Sequence, residues 1–244
     1  MPVRISRILM SHQKVFLPQT SFPLKISAVG FDLDGTLVET LPDLFTAVNL
    51  TLKDLGIELI DRDTCRDHIG RGIEHLLSEV LKKRGLDLSK TNFEGTSPVE
   101  VFRAHYAAHV CEESFLFDGI ERTLIELADR GLPLACITNK SEMFTVPILE
   151  KLSIDKFFTQ TICGDTFAKR KPDPMPIREC ANRFQVPVEE FLMVGDSQTD
   201  TQAARNAGAK IFCVPYGYRS GMRISDLDCD VLLGDPEDIL GLIQ

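Results

Sequence analysis

From Ile26 onward, short β-rich apolar runs recur, each stopped abruptly by polar or turn-forming residues and followed by a stretch of helical periodicity. Ile26-Ser27-Ala28-Val29-Gly30-Phe31 stops at Asp32-Leu33-Asp34-Gly35, and Leu134-Ala135-Cys136-Ile137 stops at Thr138-Asn139. Phe191-Leu192-Met193-Val194 stops at Gly195-Asp196, and Lys210-Ile211-Phe212-Cys213-Val214 stops at Pro215. Near-continuous apolar runs of this length fit strands buried on both faces, the condition of a parallel sheet covered by helices. Helical patterns fall between them, near residues 119–129, 141–152, 174–184 and 199–207. This alternation predicts an α/β fold, a doubly wound, Rossmann-like parallel sheet that delivers its strand-end residues to one edge.

Residues 41–115 break the rhythm, offering helices and no convincing strand. Thr40 reads as the N-cap of a first helix with Pro42 in its opening turn, apolar Leu41, Leu44, Phe45, Val48, Leu52 and Leu55 at helical spacing, and Gly56 at its end. Asp61 caps a second, short helix; a third runs from about Gly72 to Gly85; Ser97, Pro98 and Glu100 open a fourth. The expected division is therefore an N-terminal extension over residues 1–22, read as disordered, an α/β catalytic core over 23–40 and 116–244, and an inserted all-helical cap over 41–115.

Composition narrows the function classes. A formal net charge of −9 would repel a polyphosphate backbone, so nucleic acid is not an expected partner, and any anionic substrate must be met by local charge. No apolar run of the roughly 18 residues needed for a spanning helix occurs, so no membrane partner is expected either. The 7 cysteines form an odd set without a C-x-x-C pair, which predicts small buried hydrophobes in a reducing, cytoplasmic setting. Nothing in the chain distinguishes a monomer from a homodimer.

Asp32 and Asp34, at i and i+2 beyond a strand end, can converge on one small volume. Two carboxylates so close call for a cation, and a hard, oxygen-seeking ion such as Mg²⁺ suits them. Gly35 permits a tight turn out of the strand. An isolated D-x-D-G would ordinarily be a surface turn; three further strand-end or loop groups raise its standing. Asp196 and Asp200 lie four apart at a strand-to-helix junction, where Asp200 could equally be a helix-start acid. Thr138 and Asn139 end another strand, where a hydroxyl and backbone amides can hold phosphate oxygens or cap the next helix. Lys171 sits in a basic stretch stiffened by Pro172 and Pro174, which fix where it points.

These residues together resemble the haloacid dehalogenase-like phosphatase superfamily, whose motifs are matched by Asp32-Leu33-Asp34-Gly35-Thr36-Leu37, Thr138, Lys171 and Gly195-Asp196 through Asp200. Within it, the chain is similar to bacterial phosphoglycolate phosphatases through His68-Ile69-Gly70-Arg71-Gly72, Cys163-Gly164-Asp165-Thr166 and Val214-Pro215-Tyr216-Gly217-Tyr218. The resemblance implies a Mg²⁺-dependent phosphomonoesterase acting on a small organic phosphate, 2-phosphoglycolate giving glycolate and phosphate. Asp32 is the implied nucleophile and Asp34 the acid and base. The implied metal ligands are Asp32, the Asp34 backbone carbonyl and Asp196, supported by Asp200. Lys171, Thr138 and Asn139 would hold phosphoryl oxygens. Arg71, between two glycines in the cap, is the candidate for a substrate carboxylate or else a solvent-facing helix start. A sugar phosphomutase of the β-phosphoglucomutase type would share the cap, nucleophile and acid, a dehalogenase would need neither metal nor Asp34, and a catalytically inactive binding protein could use the same fold.

Overall fold

The computed structural model describes residues 22–244; the expected N-terminal extension lies outside the described residues up to residue 21. In chain order the elements are β1 (Ala28–Phe31), β2 (Val38–Glu39), α1 (Leu41–Asp54), α2 (Arg62–Arg66), α3 (Ile73–Lys82), α4 (Pro98–His109) and β3 (Phe115–Leu116). They continue as α5 (Ile120–Asp129), β4 (Leu134–Ile137), α6 (Glu142–Lys151), β5 (Phe158–Ile162), α7 (Met175–Phe184), β6 (Phe191–Gly195), α8 (Gln198–Ala207), β7 (Lys210–Cys213), β8 (Val231–Leu232) and α9 (Ile239–Leu242).

Six strands form one parallel sheet in the order β5-β4-β1-β6-β7-β8. The chain builds outward from β1 through β4 and β5, then crosses back to start β6 on the other side. Strand order therefore reverses at β1, which opens a crevice at the carboxyl ends of β1, β4 and β6. Every residue of β1, β4 and β6 is buried, as their apolar runs require. Helices sandwich the sheet: Leu124, Leu127 and Ile148 pack in one apolar cluster, Ile177, Cys180, Ala203 and Ala204 in another. β5 was not foreseen in the sequence. Its Thr159-Gln160-Thr161 centre is polar because it forms an edge strand, only half covered.

The antiparallel pair β2–β3 brackets helices α1 to α4, so the insert enters and leaves through one two-stranded ribbon. Local signals set three of the four helix starts as read: Asp61 accepts from Thr64 N, Ser97 and Glu100 form a capping box, and Gly72 stands at φ 89° before α3. The fourth is a correction. Thr40 makes no side-chain cap to α1, because its hydroxyl is drawn instead to Asp34 Oδ1 at 2.6 Å. All seven cysteines are free, six of them buried. Among the described residues no helix is long and apolar enough to cross a membrane.

Candidate active site

Sheet register brings the strand-end residues together. Phe31 pairs with Cys136 on β4 and with Val194 on β6, so Asp32 stands one residue past β1 beside the ends of both neighbours. Thr138 and Asp196 follow those neighbours directly, and all three side chains are buried. Lys171 arrives from the loop between β5 and α7 and is only 3% exposed. Its ammonium lies 2.9 Å from Asp32 Oδ1 and 2.6 Å from Asp200 Oδ1, and it donates to Ile137 O at 2.6 Å. Burial opposes a charge there, but Asp200 and Asp32 more than offset it and hold the ammonium above the ordinary lysine range. Asp200 is saturated on its other oxygen, which accepts from Ser197 N at 3.1 Å and Ser197 Oγ at 2.6 Å. It fixes the lysine and the β6–α8 turn at once.

Asp32, Asp196 and Asp200 offer carboxylate oxygens all within 4.8 Å of one another. The partners of Asp196 are neutral: Thr36 Oγ1 donates to Oδ1 at 2.9 Å and Tyr218 N donates to Oδ2. A buried carboxylate with only neutral donors is undercompensated, and its carboxyl is pushed well above the usual range by burial and then by Asp200 and Asp32. Burial likewise pushes Asp32 up to about 7, against the pull of Lys171. The Asp196 carboxylate is walled in by glycine backbone. A Cβ at Gly217 would stand 2.2 Å from Asp196 Oδ2, and one at Gly35, which adopts φ 85°, would stand 2.7 Å from the same atom.

Asp34 points elsewhere. Its carboxylate takes Lys140 Nζ at 2.8 Å and 3.1 Å and the Thr40 hydroxyl at 2.6 Å. Lys140 was not singled out in the sequence. Lysine after Thr138-Asn139 at a strand end ordinarily reaches solvent, yet here it is 7% exposed, closed over by the helical insert. Burial works against its charge, but Asp34 and, after it, Tyr106 hold its ammonium above the ordinary range.

A cleft opens between the sheet edge and the insert, lined by Asp32, Asp34, Thr138, Asn139 and Lys140 below and by Leu44, Ile69, Gly70, Gly72, Ile73 and Leu76 above. Thr138 Oγ1 accepts from Lys140 N at 3.1 Å. Asn139 Nδ2 donates both to Lys171 O at 2.9 Å and to Gly70 O of the insert at 3.1 Å, tying the two halves of the cleft. Arg71 is exposed and does not line the cleft, although both flanking glycines do.

Tyr218 is a second residue the sequence left unweighted. Its backbone N–H holds Asp196, while its hydroxyl accepts from Thr40 N at 2.9 Å and Leu41 N at 3.0 Å and donates to Glu39 Oε1. The phenol thus caps α1 in place of the Thr40 side chain and joins the carboxylate cluster to the entrance of the insert. Tyr218→Phe leaves the buried Thr40 amide without this acceptor, whereas Leu41 N also donates to Glu39 Oε1 at 3.2 Å, and should lower stability by about 1–3 kcal/mol in urea unfolding. A variant as stable as the parent would show that water or another group caps the helix equally well.

Comparison with known proteins agrees with this architecture. Residues 29–214 match the family model described as haloacid dehalogenase-like hydrolase. A phosphoglycolate phosphatase of Nitrosospira multiformis is 40% identical over 223 residues, spanning 91% of this chain and 98% of that one. Another, of Thiobacillus denitrificans, is 42% identical over 213 residues, 87% of this chain and 93% of its own. Among solved structures, a predicted phosphoglycolate phosphatase from Haemophilus somnus 129pt superposes with a TM-score of 0.81 at 31% identity, covering 89% of this chain and 97% of that one. CbbY from Rhodobacter sphaeroides in complex with phosphate gives a TM-score of 0.75 at 26% identity, covering 89% and 99%.

Proposed function

The chain belongs to the haloacid dehalogenase-like hydrolases and is a phosphatase, and on that premise we propose that it hydrolyses 2-phosphoglycolate to glycolate and phosphate through an aspartyl-phosphate on Asp32. The observation that carries this reading is the position of Asp32, a buried carboxylate at the floor of a small cleft, with a lysine at 2.9 Å and the Thr138 side chain beside it. The relatives named phosphoglycolate phosphatase support this choice of substrate, and Leu44, Ile69, Ile73 and Leu76 roof the cleft over Asp32.

An Asp32 oxygen attacks phosphorus in line, forming the acyl-phosphate bond as the bond to the glycolate oxygen breaks. Lys171 and Thr138 hold phosphoryl oxygens and neutralise the charge that grows on them. Asp34 stands on the cleft side of the same strand end and, carrying a proton when the first step begins, passes it to the departing alkoxide. It then takes a proton from the water that attacks the acyl-phosphate and frees Asp32. Asp200 keeps Lys171 in place.

The donor set fits a divalent cation. It is all oxygen, it is buried, and Asp196 has only neutral partners. Asp32, the Asp34 carbonyl and Asp196 would hold Mg²⁺, which supplies charge neutralisation for the phosphoryl group. Proton and cation compete for Asp32. Its folded-state value of about 7 lies above that of an unfolded aspartate, so proton-linked stability is present at low pH and is lost as pH rises through about 7. A bound cation restores what is lost. The increase in melting temperature produced by Mg²⁺ should therefore be largest near pH 8 and shrink toward about pH 5.5. Equal increases at both would remove Asp32 from the cation site.

Phosphate release from 2-phosphoglycolate, 3-phosphoglycerate, ethyl phosphate, p-nitrophenyl phosphate and a sugar 1-phosphate, with and without Mg²⁺, tests the whole reading. Phosphoglycolate should give the highest kcat/KM, and only with the cation present. Isomerisation of the sugar phosphate in place of phosphate release would instead make the protein a mutase.

A further inference from the structure

We propose that Lys140 is the specificity-determining residue of this cleft and that it receives the carboxylate of the leaving group. This rests on the phosphoglycolate reading and names the contact by which such a substrate is chosen. A leaving group that carries a carboxylate cannot be buried against an apolar roof unless its charge is paired. Among the residues that line the cleft, the insert contributes Leu44, Ile69, Ile73, Leu76 and two glycines, none of them charged. The floor contributes two acids, Asp32 and Asp34, and a single cation, Lys140.

Lys140 is also placed where a leaving group ends. Its ammonium lies 2.8 Å and 3.1 Å from the two oxygens of Asp34, the residue that faces the departing oxygen in the proposed reaction. In phosphoglycolate the carboxylate is one methylene from that oxygen, so a group that touches Asp34 is within reach of it. An ammonium has three N–H donors, and Asp34 with its two oxygens does not exhaust them. The face of Tyr106, from α4 of the insert, stands 5.0 Å from Nζ and supports the charge from behind.

Arg71, the alternative partner, is exposed and outside the lining.

The test compares kcat/KM for 2-phosphoglycolate and ethyl phosphate, which differ in the carboxylate, in the full-length protein with Mg²⁺. The unmodified protein should prefer phosphoglycolate by at least ~10²-fold. Lys140→Met should bring that ratio to within a few-fold of one, chiefly through the phosphoglycolate value. Lys140→Gln removes the charge but still donates a hydrogen bond to Asp34, and it reads the same ratio if the methionine variant fails to fold. Lys140→Arg should retain part of the preference. A neutral variant that folds and keeps the parental ratio, both substrates slowed equally, overturns the inference and leaves phosphoglycolate as substrate. So does a ratio that collapses in Arg71→Ala while Lys140→Gln keeps it. An unmodified protein that does not prefer phosphoglycolate overturns the substrate reading itself.

Discussion

Asp32→Asn should abolish phosphate release, lowering kcat by at least about three orders of magnitude, while the protein folds as well as before. An amide oxygen is too poor a nucleophile to displace an alkoxide from phosphorus, and neither Asp34 nor Asp196 can take over. Asp34 is held by Lys140 and Thr40, and Asp196 is walled in by Gly35 and Gly217. Stability should move the other way. Asp32 shares a buried site with Asp196 and Asp200, and its own carboxyl is pushed up to about 7 by burial. Without a cation near pH 8, the substitution removes one of three crowded charges, and Lys171 keeps Asp200 and Ile137 O as partners. Urea unfolding in chelator should therefore show a stability equal to the parent or higher by roughly 1–2 kcal/mol. Activity within tenfold of the parent would end the aspartyl-phosphate mechanism.

How much of this could be read beforehand differs from residue to residue, for physical reasons. The sheet was legible because β1, β4 and β6 are buried throughout and β7 is buried after Lys210, so they carry apolar runs, each of which must stop where the strand leaves the sheet. The same stop signal located Asp32, Thr138 and Asp196, and a parallel sheet then puts them at one edge. β5 escaped because an edge strand needs no such run. Thr40 was misread because its local signal was genuine: a threonine before a proline-started helix is a good cap. A tertiary partner, Asp34, outcompeted the amides, and Tyr218 from 178 residues away replaced it. Lys140 was hidden for a similar reason. Whether a lysine at a strand end points to solvent or inward depends on what covers it, and the cover is an insert whose helices close over it from elsewhere in the chain. Arg71 shows the converse, since flanking glycines mark a loop that approaches the cleft without saying which way its one long side chain turns.

Lys171→Met should be the most damaging single change to the fold at this edge. The side chain is 3% exposed and joins two carboxylates, so removal leaves Asp32 and Asp200 facing each other with no cation between them. Breaking a buried ion pair from one side costs about 3–5 kcal/mol, far more than the loss of methylene packing, which methionine largely replaces. The penalty has a pH signature. Asp32 already stands at about 7 with the lysine present, and without it the carboxyl must rise further. A group raised above its unfolded value contributes stability below that value and loses it as pH rises through the folded one. The deficit relative to the parent should therefore be greatest near pH 8 and smallest near pH 5, where a proton takes the place of the ammonium. Adding Asp32→Asn to Lys171→Met should recover part of the stability and none of the activity, because the two changes share one charge cluster and are not additive. A deficit that is small and flat with pH, or a double variant as unstable as the sum of the singles, would mean that Lys171 stands at this site without neutralising it.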